Sequence, residues 1–144
     1  MDRRDLLGVL GVLALPAWSG VALAGPRLAV VVNAKNPLKT LGKDELEAIF
    51  KALRRNWPGG QRIQPFNLPA RHALRIAFDR SALQMEADAV ARYWIDQRVR
   101  GGQQPPTQVP DSKLMLRVVS SLSGAVGYVP ANEVSGGVKI VAEV

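Results

Sequence analysis

The sequence predicts an α/β protein, a layered sheet with flanking helices, and three observations carry that expectation. Short apolar runs rich in valine read as buried strands, segments with three- and four-residue apolar spacing stand between them as helices, and turn residues separate the two kinds. The predicted order is β, α, β, α, α, α, β, β, which argues for a largely parallel sheet. No internal repeat, low-complexity tract or inter-domain boundary interrupts the 144 residues.

Met1 to Ala24 stands apart from that pattern. Arg3 and Arg4 precede an apolar run, LLGVLGVLALP, and Ala22-Leu23-Ala24 forms a small-residue cleavage signal before Gly25, the layout of a cleavable export signal. Arg3-Arg4 followed by Asp5-Leu6-Leu7 partly matches the twin-arginine signal of bacteria; that route and the general secretory route lead to the same address. The expected domain is residues 25–144, soluble and not lipidated, in the periplasm.

Arg27 to Asn33, RLAVVVN, is the first strand. A turn at Asn36-Pro37 follows. A helix from about Lys43 to Leu53 then places Leu46, Ile49, Phe50 and Leu53 on one face, with Asp44 and Glu45 in its first turn, where acids suit the helix dipole. NWPGG is a turn, and RIQPFNL a short strand. Asn67 to Phe78, NLPARHALRIAF, reads as a helix start, with Pro69 near the first turn and Leu74, Ala77 and Phe78 on one face. The next helix runs from about Glu86 to Arg98, and GGQQPPTQVP is a loop. Asp111 and Ser112 are candidate caps for a helix with Leu114, Met115, Val118, Val119 and Leu122 inside, ended by Gly124. AVGYV and VKIVAEV are the last strands.

The absence of cysteine removes disulfides, thiol catalysis and thiolate metal sites. His72 is the single histidine, so a histidine metal site is not expected, nor is a serine-histidine-acid triad, which would also need a nucleophile motif that is missing. The glycines of GAVGY lack a P-loop lysine and suit close strand packing instead. Asp44, Glu45 and Glu47 are solvated charges on an amphipathic helix. The expectation is a non-enzyme without metal or cofactor.

The formal net charge is +7, and all of it lies after residue 24, since the leading segment carries two arginines and two aspartates. That excess favours anionic partners, with nucleic acid set aside by location. Arg71, His72 and Arg75 crowd a helix start whose unpaired N–H groups and dipole already favour an anion. Arg71 and Arg75, four apart, are expected on one side of that helix. Asn67 and Asn33, at the ends of two strands taken as parallel, are expected in the same crevice. The plainer reading of the same residues is a solvated basic edge.

Three phrases, VVVNAKNPLKTLGKDELEAIF, NWPGGQRIQPFNL and SSLSGAVGYVPANEV, in that order, resemble the PstS-like phosphate-binding branch of the type II periplasmic binding proteins. The resemblance spans about Leu28 to Val134. It implies one lobe of a fold that in the family has two, and binding of phosphate or another small anion in association with an inner-membrane ABC transporter. Where the family presents a Gly-Ser-Gly-Thr-like run at the helix start, this chain has Pro69-Ala70-Arg71-His72-Ala73, so arginine would replace hydroxyl groups with a different geometry. The alternative class is a single-lobe interaction module of the cell envelope that no longer captures ligand. The sequence leaves open which anion, which transporter or envelope partner, and whether two copies meet to rebuild a two-lobed cleft.

Overall fold

A computed structural model of the chain describes residues 27–144; the export signal read over residues 1–24 lies outside them. Five strands, β1 (Leu28–Asn33), β2 (Gln64–Asn67), β3 (Thr107–Gln108), β4 (Ala125–Pro130) and β5 (Val138–Glu143), form one sheet in the order β3-β2-β4-β1-β5. The helices are α1 (Lys43–Phe50), α2 (Ala73–Phe78), α3 (Ala87–Val99) and α4 (Ser112–Ser121), with a π turn at Asp79–Leu83 and a 3₁₀ turn at Ala131–Glu133.

All six residues of β1 are buried, because β1 lies between β4 and β5 and has helices over both sheet faces. The alternation along β4 shows how the two layers are filled. Gly127 turns toward α4, where a Cβ would collide with Met115 and press on Val119. Tyr128 turns the other way, stacking on Phe78 of α2 with centroids 3.9 Å apart and meeting Phe50 of α1 edge-on at 6.2 Å. Phe50 and Phe78 also meet edge-on at 4.8 Å, so one aromatic cluster joins α1, α2 and β4.

The α/β layer expectation holds, but the sheet is mixed rather than largely parallel. β2 is parallel to β3 and β4, whereas β1 is antiparallel to both β4 and β5. Alternation of strands and helices implies parallel pairing only where successive strands become neighbours through a crossover; here the first strand slots between the last two. GGQQPPTQVP contributes the two-residue β3, which the loop reading missed.

Helix ends also moved. α1 stops at Phe50 because Ala52 takes a left-handed φ of 61°, and Leu53, expected on the buried face, is 71% exposed. α4 is capped by the Asp111 side chain accepting from Leu114 N–H, as expected, but ends at Ser121 rather than running to Gly124, leaving Leu122 exposed. α2 begins at Ala73, not at Pro69: residues 69–71 form a turn closed by His72 N–H donating to the Pro69 carbonyl at 2.9 Å.

Candidate functional site

The carboxyl end of β2 leads straight into the segment that sequence analysis singled out. Asn67 is buried, and its Oδ1 accepts from the Leu68 N–H at 3.0 Å and from the Tyr128 hydroxyl. Both bonds hold the Asn67 amide in one orientation. Its Nδ2 donates to no protein group among the described residues. Burial pushes the Tyr128 hydroxyl well above the ordinary tyrosine range, so it stays a neutral donor.

His72 caps α2, its Nδ1 accepting from Leu74 N–H at 3.1 Å. This fixes where the helix starts and hence where Arg75 points. Arg75 is inside the protein, 7% exposed. Its Nε donates to Asp79 Oδ2 at 2.9 Å and its Nη1 to the Leu68 carbonyl at 2.8 Å, while Nη2 engages no protein group among the described residues. Asp79 is also buried, and its Oδ1 has no partner among the described residues. Desolvation raises the Asp79 carboxyl above its usual range, against the opposing pull of Arg75.

Asn67, Ala70, Arg75 and Asp79 line one side of a cleft of about 270 Å³; Val90, Trp94 and Arg98 of α3 line the other, and Gln108 of β3 adds a further polar group. Gln108 is in register with Asn67 across the parallel β2–β3 pair, which brings two amide side chains to the same crevice. The cleft thus lies beyond the carboxyl ends of parallel strands, where α/β sheets generally take ligands. It offers buried, pre-oriented hydrogen-bonding groups from Asn67 and Arg75, with the buried Asp79 carboxyl beside them.

A second cleft of about 260 Å³, lined by Arg54, Arg55, Arg62 and Gln64 among others, has more arginines but no comparable preorganisation. Arg54 is bound to Glu45 at 2.6 Å, and Arg55 and Arg62 are exposed. Fixing such side chains on a ligand costs rotamer entropy that Arg75 has already lost on folding.

Of the five residues expected at an anion site, the structure brings Asn67 and Arg75 to one cleft, with His72 setting the helix that carries Arg75. Arg71 is exposed in the preceding turn and does not line the cleft; the expectation that it shares a helix side with Arg75 fails because the helix begins after it. Asn33 lies elsewhere. β1 and β2 are not parallel: Val32 and Pro65 both pair with Val126, so the strands run on from that level in opposite directions. The Asn33 amide is consumed by α4, donating to the Val119 and Ser120 carbonyls at 3.0 and 3.1 Å, while its Oδ1 accepts from Lys35 N–H. It ties a strand to a helix.

Sequence reasoning missed Asp79, Trp94, Arg98 and Gln108. The four-residue spacing of Arg75 and Asp79 was an available signal for an ion pair. Nothing local marks Arg98 or Gln108, whose role depends on how α3 and β3 return to β2. Among the described residues, no group of His, Cys, Asp or Glu side chains could hold a metal, and no helix is long and apolar enough to cross a membrane.

No protein-family model matches the sequence, and no curated protein matches it. Solved structures do share the fold. An ABC-type phosphate transport receptor from Vibrio cholerae superposes over 81% of this chain with a TM-score of 0.65 at 22% identity. A putative phosphate ABC transporter substrate-binding protein from Clostridium perfringens, solved with bound phosphate, gives 0.64 at 19% identity, and PstS from Borrelia burgdorferi 0.62 at 13%. The match covers 46%, 45% and 47% of those chains respectively. This chain therefore has a periplasmic-binding-protein-like fold over less than half of each receptor's length, in keeping with the single-lobe resemblance.

Proposed function

We propose that this protein binds phosphate, or a related oxyanion that keeps a proton, in the cleft between α2 and α3, as a periplasmic solute-binding-like protein associated with ABC-type uptake. The observation that carries the reading is the buried trio Asn67, Arg75 and Asp79. Arg75 and Asn67 supply donors for anionic oxygens, and charge-assisted bonds of this kind are among the stronger ones. Asp79 Oδ1, buried with no partner among the described residues, repels a fully deprotonated oxyanion but accepts a hydrogen bond from one that carries a proton. Hydrogen phosphate meets that condition at neutral pH and sulfate does not. Arg98 adds positive charge at the cleft wall. The fold shared with phosphate receptors supports the same reading.

A thermal-shift titration with phosphate, sulfate and chloride at matched ionic strength tests it. A ligand that binds only the folded state raises stability by about 2.7 kcal/mol at a concentration of 100 Kd, so phosphate is expected to give a saturating rise in Tm that the other salts do not. Asp79→Asn should narrow the gap between phosphate and sulfate. Equal shifts with all three salts, or none, would sink the proposal and leave the envelope interaction module as the better reading.

A further inference from the structure

α3 is a helix with an idle outer face. Of its 13 residues only Val90 is buried, and Ile95 and Val99 are 54% and 80% exposed. With Ala91 they make a row at four-residue spacing. Next to it runs a second row, Asp88, Arg92, Asp96 and Arg100, also four apart and alternating in sign, with side chains between 53% and 75% exposed. Among the described residues these charges pair only along the helix, Arg92 with Asp88 at 3.5 Å and Arg100 with Asp96 at 3.0 Å. Exposed pairs of this kind contribute little and are exchanged at little cost.

The charge row reverses its sign when turned end for end. We propose that the outer face of α3 pairs with the same face of a second copy of this chain, antiparallel about a two-fold axis that passes between Arg92 and Asp96. Arg92 then stands opposite the partner's Asp96 and Asp88 opposite the partner's Arg100, while Ile95 packs beside the axis. A parallel arrangement would set each charge against its own kind. The row therefore selects one orientation, as an isologous interface requires. Rows at four-residue spacing also form the ridges that interlock when helices cross at about −50°. Such a crossing concentrates contact on Ala91, Arg92, Ile95 and Asp96, a small interface of the kind that weak, transient complexes have. Ala91, Ile95 and Arg98 also line the cleft, so the second copy lies over its mouth. The pairing does not depend on the anion reading.

Sedimentation velocity on the purified protein over a range up to high micromolar concentration tests it, with far-UV circular dichroism and Tm confirming that each variant folds. Wild-type protein should show a concentration-dependent monomer–dimer equilibrium. Ile95→Glu, Arg92→Asp and Asp96→Arg should each weaken it by at least about tenfold. Mixing Arg92→Asp with Asp96→Arg should restore a dimer, since each then supplies the charges the other lacks. A wild-type protein that stays monomeric would overturn the pairing, as would a dimer indifferent to these substitutions or a mixture that stays monomeric.

Discussion

Arg75 is the residue whose role changed most between sequence and structure. A charged side chain is expected at the surface unless it is paired, and nothing local overrides that default for Arg75 except the aspartate four residues on. In the folded chain its guanidinium ties α2 to Asp79 and to the Leu68 carbonyl. Removing one member of a buried ion pair leaves an uncompensated charge, which typically costs 3–5 kcal/mol. Arg75→Met should therefore lower the unfolding free energy by about 3 kcal/mol, read from urea midpoints, and Arg75→Met/Asp79→Leu should recover most of it. A loss below about 1 kcal/mol would mean that the pair is solvated like a surface bridge. The pH dependence follows from Asp79. Its folded-state value lies above the ordinary 3.8, so the folded state holds the proton more tightly than the unfolded chain. Its contribution is full below that ordinary value and is lost as pH rises through the raised one. Without Arg75 the carboxyl rises further, and the fall in stability from mildly acidic to neutral pH should be steeper in Arg75→Met than in the wild type.

Elements were legible where their signal is local. The all-valine centre of β1, the apolar spacing in α1 and α4, and the aspartate cap of α4 all act within a few residues. Strand direction was not legible, since the partners of β1, β4 and β5, come only near the end of the chain. The start of α2 was misread for a related reason: Pro69 suits a first helical turn, but the His72 side chain caps the chain three residues further on. Gly124 shows how one residue holds two elements in place. Its carbonyl accepts from Gln64 N–H at 2.9 Å and from Trp57 Nε1 at 3.0 Å, and a Cβ there would collide with the Arg62 carbonyl. Because the obstacle is backbone, no rotamer change relieves it. Gly124→Ala should push the entry of β2 away from β4 and cost about 1–3 kcal/mol, whereas Gly59→Ala, at an open turn position, should be near neutral. Equal midpoints for the two variants in denaturant would show that β2 tolerates the displacement.

At the scale of the molecule, stability is unevenly spread, and the cleft sits on the boundary. β1 is buried along its whole length and α4 anchors Met115 and Val119 in the core. α3 is held by Val90 and by the Tyr93 hydroxyl donating to the Lys51 carbonyl at 2.8 Å. Segments with few buried contacts open locally at lower free energy than the core. The two walls of the cleft therefore differ: Asn67, Arg75 and Asp79 belong to the rigid side, Trp94 and Arg98 to the loose one. An anion held by Arg75 and drawn by Arg98 would bind the loose wall to the rigid one. Native-state hydrogen exchange, at a protein concentration where the chain is monomeric, should find α3 amides exchanging faster than those of α4, and those of β1 slowest. Saturating phosphate should slow α3 selectively, with β1 unchanged, and Tyr93→Phe should speed α3 without ligand. Exchange of α3 as slow as that of β1 would refute the division into rigid and loose walls. Faster exchange that phosphate leaves untouched would keep the division but remove Arg98 from the binding site.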